Sequence, residues 1–239
     1  MLTHSFEDLA QSFRVIGEAA FDAGRLMDID RAEAIGNIET ALNAKLNSFH
    51  NLYDLMSREL PDSIDWYETP ELLTILAIRN ARHHNKANRI RSLYNYHRQT
   101  VQPPTTAKQY FYVDFPSPPE EKGADCFDLP ISWADIDLFL SLPRSESKLH
   151  HVAKKRIRDY LNANALEAAA TKAGNTKEKI FINFIPLALN AGIALQPYAI
   201  DHVQPDSMEA RYFLEHFGSV APTLTKQHEY RVIFFGFPK

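Results

Sequence analysis

Apolar residues Phe6, Leu9, Phe13, Ile16 and Ala20 fall three and four positions apart, a spacing that stacks side chains on one face of a helix. Ser5 and Asp8 stand ahead of most of that stripe in capping-box spacing, with Asp where Glu is usual. The stripe recurs at Ile35, Ile38, Leu42, Leu46, Phe49, Tyr53 and Met56, which predicts a second helix over 30–58 with Pro61 just beyond it. A third helix has its own start signals. Thr69 suits the cap, Pro70 the first helical position, and Glu71 the positive end of the dipole. Leu72, Leu73, Ile75 and Leu76 supply its buried face, and the pattern then runs straight into Arg79, Asn80, His83 and His84. Asn85 or Asn88 marks a break before a short helix that carries Ile90, Leu93, Tyr94 and His97.

Periodicity fails over 101–130, where prolines accumulate at 103, 104, 116, 118, 119 and 130. Within this excursion YFYVDF, 110–115, reads as a short strand. Ser132 and Asp135 restore a helix-start signal, and a longer helix is expected over 145–173, ending at Gly174. Residues 179–200 are apolar but punctuated by Pro186, Gly192 and Pro197, so strand, broken helix and a combination of the two all remain open. SMEARYFLEHF, 207–217, reads as helix, and EYRVIFFGF, 229–237, as a strand suited to pair with YFYVDF. The fold class is therefore mainly α, with a small β-containing insert and C-terminal portion. The expected division is a helical unit over 1–174 and a mixed α/β appendage over 175–239 packed on the same domain.

Composition narrows the classes. A hydrophobic fraction of 45% with 23% charged residues supports a packed core rather than disorder. The single cysteine, Cys126, has no internal disulfide partner and fits a reducing compartment, most simply a cytoplasm. No apolar run reaches the roughly 20 residues of a membrane span, and Glu7, Asp8 and Arg14 interrupt any leader-like apolar core. The net charge of −4 speaks against a general basic nucleic-acid binder. That charge is sorted, however. Residues 72–113 contain no acid and seven cations (Arg79, Arg82, Lys86, Arg89, Arg91, Arg98, Lys108), which leaves −11 on the remainder.

The chemistry concentrates at the end of the third helix. Residues four apart share a face, so Asn80 neighbours His84 and Arg79 neighbours His83. A polar cluster thus replaces hydrophobes where the apolar stripe should continue. Arginine matches phosphate oxygens with a fixed fork, histidine exchanges a proton near neutrality, and asparagine orients either group. Such a trio suits metal-independent cleavage of RNA through its own 2′-hydroxyl. Basic residues complementing the helix dipole would account for the charges, but not for Asn80 or for the stripe that leads into the cluster. No Walker loop, dinucleotide glycine motif, G-x-S-x-G or zinc-type Cys/His spacing is present.

Arg79-Asn80-Ala81-Arg82-His83-His84 resembles the R-N-x-x-x-H form of the R-x(4–6)-H signature of HEPN-superfamily ribonucleases. The resemblance covers residues 1–100 and, more loosely, 130–174. It implies a HEPN-like helical bundle, a homodimer with a composite active site, RNA as substrate, no cofactor and no metal. It assigns Arg79, Asn80 and His84 to catalysis, and leaves Arg82 and His83 at the motif's variable positions. The basic residues suggest Arg82, His83, Lys86 and Arg89 as substrate contacts, and Arg91 and Arg98 with Tyr94 and Tyr96 as a wider RNA track. A second basic run, 148–158 with His150 and His151, reads as a solvated helix face. The expected function is a toxin or phage-defence endoribonuclease with a possible antitoxin or regulatory partner. The rival readings are a non-catalytic RNA- or nucleotide-binding module on the same scaffold, and control of the site by residues 175–239.

Overall fold

The computed structural model describes residues 1–102, 106–118 and 127–238, so Cys126 lies outside the described residues. Helices α1 (Leu2–Ile29) and α2 (Arg31–Glu59) form a long antiparallel hairpin. Asp30 joins them, ending α1 with an extended backbone while its Oδ1 accepts from the Glu33 amide at 3.0 Å to cap α2. Helix α1 begins at Leu2, so Ser5 and Asp8 lie inside it and do not cap it. Buried Ser5 occupies the stripe itself.

Helix α3 (Pro70–His83) packs on α2 and on a later helix. Thr69 is its first flanking residue but makes no side-chain cap; its hydroxyl donates instead to the Asp65 carbonyl at 2.8 Å. A turn over 84–92 leads to α4 (Leu93–Thr100), capped by Ser92.

The Pro-rich excursion contains the middle of a sheet. Strand β1 (Lys108–Asp114) pairs in parallel with β3 (Ile180–Asn183), and β2 (Pro130–Ser132) lies antiparallel on the other edge of β3. Strand β4 (Glu229–Phe235) pairs antiparallel with β1, with Phe111 opposite Val232, as the two apolar segments suggested. The order is β2-β3-β1-β4. One face of the sheet, through Phe111, Val113, Ile131, Ile180 and Ile182, joins the main helical core. The other packs Tyr110, Tyr112 and Phe181 on Leu93 of α4.

Beyond β2, Ser132 accepts from the Asp135 amide and caps α5 (Trp133–Ser141) as expected. The single helix expected over 145–173 is three: α6 (Arg144–Ser147), α7 (His151–Tyr160) and α8 (Ala163–Lys172). Left-handed residues break it, Lys148 at φ 60° and Asn162 at φ 44°. An unbroken apolar stripe through these residues would have failed to follow the core around two corners.

Residues 179–200 combine both expected states, β3 followed directly by α9 (Phe184–Ala199). Helix α9 is buried along most of its length and contacts α3, while α10 (Met208–Phe217) closes over α1 and α9. Gly192 permits that closure, because a Cβ there would meet the Phe217 ring at 2.5 Å. Residues 175–239, expected as an appendage, therefore contribute a central strand and a core helix. Among the described residues no helix is long and apolar enough to cross a membrane.

Candidate functional site

The end of α3 is shaped by a strained turn. Asn85, Ala87, Asn88, Arg89 and Ile90 all have φ between 45° and 62°, the left-handed region that a β-branched residue such as Ile90 rarely enters. Two buried ion pairs hold the turn. Arg82, only 4% exposed, donates from Nη1 to the Ile90 and Arg89 carbonyls at 2.8 and 3.3 Å, from Nη2 to Glu39 Oε2 at 2.7 Å, and from Nε to Asn43 Oδ1 at 2.8 Å. Glu39 also accepts from the Ser92 hydroxyl at 2.5 Å. On the far side, Asp135 accepts from Asn88 Nδ2, from the Arg91 amide and twice from the Arg91 guanidinium, all at 2.8–3.0 Å.

This accounts for Arg82 differently from the sequence expectation. Each guanidinium nitrogen is engaged in the fold, so Arg82 forms the floor of the site and offers no fork to a substrate. Lys86 lies 3.5 Å from Glu146 and lines neither cavity described below. Arg89 is exposed, has no acidic partner among the described residues and lines both cavities.

The remaining motif residues gather against α2. Arg79 donates from Nη1 to Asn80 Oδ1 at 3.2 Å, and its buried Nε has no hydrogen-bond partner. His83 and His84 are exposed, with ring centroids 4.9 Å apart and nearly perpendicular planes. Across from them His50 of α2 sets Nδ1 3.2 Å from Asp54 Oδ2. Burial holds the His50 pKa below the usual imidazole value, with Arg79 acting in the same direction and Asp54 opposing. His83 is lowered chiefly by Arg79, and burial, opposed by Asp54, lowers Arg79 itself. Three imidazoles, one guanidinium and one carboxylate thus share a single electrostatic environment. Sequence reasoning missed His50 and Asp54. Their signal was the His-x-x-x-Asp spacing on α2, which puts both on one helical face.

Two cavities adjoin this cluster along α2. One, of about 190 Å³, is lined by Asn43, Leu46, Asn47, Arg79, Arg82, His83 and Arg89. The next, of about 240 Å³, shares Asn43, Arg82 and Arg89 with it and continues past Glu39, Arg91, Asn95 and Arg98. Together they form one groove with five arginines and a single carboxylate, Glu39, which is already committed to Arg82 and Ser92. Arg98 joins Arg89 in lacking an acidic partner among the described residues.

The tyrosines of the expected track face elsewhere. Tyr94 packs on Phe235 at 5.3 Å and Tyr96 on Phe181 at 5.2 Å, with the Arg91 guanidinium 4.7 Å from the Tyr96 ring centre. In the second basic run, Arg156 pairs with Glu68, and Arg158 with Asp137 and Glu167. Among the described residues no group of three or more His, Cys, Asp or Glu side chains is arranged to hold a metal ion. No protein-family model matches the chain, and neither does any curated protein or any solved structure.

Proposed function

We propose that the protein is a metal-independent endoribonuclease of HEPN type, acting in RNA cleavage as a toxin or defence effector. The observation that carries the reading is that Arg79 and His83 of the His50, Arg79, His83, His84 cluster line one end of an arginine-rich groove. The groove suits a phosphodiester backbone, since Arg89 and Arg98, with no acidic partner among the described residues, can meet phosphate oxygens as forks. The cluster supplies what cleavage of that backbone needs at one phosphate.

In the proposed step an imidazole takes the proton of the RNA 2′-hydroxyl, and the 2′-oxygen bonds to the adjacent phosphorus. The bond from phosphorus to the 5′-oxygen breaks, and that oxygen leaves with a proton from the second acid. The ends are a 2′,3′-cyclic phosphate and a 5′-hydroxyl. Arg79 neutralises charge on the pentacovalent phosphorus, held by Asn80. His84 is the general acid or base. His50, whose pKa is lowered by burial and by Arg79, is the natural complement to it. Two chains meeting at this exposed edge would place two clusters in one cleft, and an antitoxin or regulatory partner would act by covering it.

The test is cleavage of a mixed RNA panel by purified protein, with sequencing of the ends. His84→Ala is expected to lower the rate about 100- to 10,000-fold, the usual contribution of a proton-transferring group, with unchanged thermal stability. Cleavage by His84→Ala at the parental rate overturns the reading.

A second reading, a non-catalytic RNA-binding module, is favoured by the groove alone, because its arginines need no histidine to hold a phosphate chain. Salt-dependent RNA binding without cleaved ends, weakened by Arg89→Ala, would select it.

A further inference from the structure

A larger cavity, of about 610 Å³, opens at the other end of α3, about 12–20 Å from the motif along a helix that rises ~1.5 Å per residue. That volume lies in the range of about 300–1,000 Å³ that small-molecule sites occupy. Three elements wall it: the first turn of α3, the outer face of α7, and the 223–227 turn between α10 and β4.

The 223–227 wall is built before any ligand arrives. Buried Asn190 accepts from both the amide and the hydroxyl of Thr223 at 2.8 and 3.1 Å, and donates to its carbonyl at 3.0 Å. The Leu224 amide donates to the Pro116 carbonyl at 2.9 Å, and Asn162 donates to the Lys226 carbonyl at 2.9 Å. The same Asn190 donates to the Tyr160 hydroxyl at 3.1 Å, which ties buried Tyr160 of α7 to this wall. Val152 and Leu224 add apolar wall on either side.

The polar groups of the cavity are specific. Glu71 lines it and has no ion-pair partner among the described residues; burial raises its carboxyl pKa, opposed only by its own backbone amide. Lys155 and Arg156 line it too, but are paired with Asp159 and Glu68. Lys226 is exposed and has no acidic partner among the described residues. The cavity therefore offers a carboxylate in want of donors, apolar lining from Val152 and Leu224, and an ammonium with no acidic partner among the described residues.

We propose that this cavity binds a guanine nucleotide, with the Glu71 carboxylate accepting from the base and Lys226 meeting the phosphate. Guanine presents adjacent N1–H and N2–H donors that a carboxylate accepts together, whereas adenine sets one donor beside an acceptor. The purine lies against the apolar side chains of Val152 and Leu224 that line the cavity. Because the site is separate from the motif, the inference stands whether or not the protein cleaves RNA.

Calorimetric titration of the full chain with guanosine monophosphate, adenosine monophosphate and guanosine tests it. The expected result is saturable binding of guanosine monophosphate at least tenfold tighter than adenosine monophosphate. Glu71→Gln should erase that preference. Lys226→Ala should weaken guanosine monophosphate severalfold and leave guanosine unchanged. Val152→Trp, at a half-exposed position on the wall, should abolish binding without unfolding the chain. Equal affinity for the two monophosphates, or no saturation with guanosine monophosphate at millimolar concentration, overturns the proposal.

Discussion

Lys45 and Arg82 are both buried basic residues, yet the fold treats them in opposite ways. Arg82 is surrounded by acceptors, and removing one side of such a pair strands the other. Arg82→Ala should therefore destabilise by about 3–5 kcal/mol, measured by urea unfolding, whereas Arg79→Ala, with no ion pair to lose among the described residues, should leave the urea midpoint nearly unchanged. Lys45 is wholly buried between α1 and α2, where Nζ donates to Ser12 Oγ at 3.2 Å and lies over the Phe13 ring. Burial lowers its pKa well below the ordinary 10.5. The unfolded chain then binds a proton that the native chain refuses, so stability rises with pH from the lowered pKa up to about 10.5. Lys45→Met should raise the urea midpoint at neutral pH and flatten that alkaline rise; an unchanged pH dependence would place the amine in water. Neither environment was legible in the sequence. Lys45 interrupts the apolar stripe of α2 as any surface lysine would, and Arg82 sat beside Arg79 as one more cation of the basic window.

At the scale of elements, the turn after α3 is the feature on which the candidate site depends. Five left-handed residues turn the chain so that Arg89, Arg91 and Arg98 line the same groove as Arg79. Strain of that kind persists only where surrounding contacts impose it, and here Asp135 supplies much of the restraint. Asp135→Ala should cost about 3 kcal/mol or more, since it leaves the Arg91 guanidinium unpaired in a largely buried position. Hydrogen exchange should locate the loss at residues 85–92, and RNA binding should weaken even though no groove side chain is altered. Uniform loss of protection across the chain would deny the turn its separate role. The break at Asn85 and Asn88 was readable, because asparagine tolerates left-handed backbone. The continuation through Ala87, Arg89 and Ile90 was not, because no local preference favours it.

At the scale of the molecule, residues 180–199 belong to the interior. Strand β3 lies between β1 and β2, and α9 packs on α3. Truncation after Gly174 should accordingly give a chain without cooperative thermal unfolding or dispersed amide resonances, rather than an unregulated active domain. A cooperatively folding 1–174 fragment would restore the picture of an appendage. The β1–β3 pairing is parallel across more than sixty residues of chain, and nothing in the sequence of either strand specifies so distant a partner. The β1–β4 pairing was readable as two apolar, β-branched and aromatic segments, though not their position in the sheet.

Periodicity alone determined α1 and α2, because a three-and-four spacing on a long segment can bury its stripe in only one way. The proline and acid signals around 69–71 fixed where α3 starts, although Thr69 spends its hydroxyl elsewhere. The acid-free window with its Arg79-Asn80 and His83-His84 pairs marked where the chemistry is concentrated. Only the tertiary structure decided which of those residues are available. Availability depends on whether a partner from another element is within reach: Glu39 and Asn43 of α2 take Arg82, Asp135 of α5 takes Arg91, and no acid among the described residues takes Arg89 or Arg98. It also brought His50 and Asp54 to the cluster, since a helix pattern gives a side chain its face but leaves open what that face will meet.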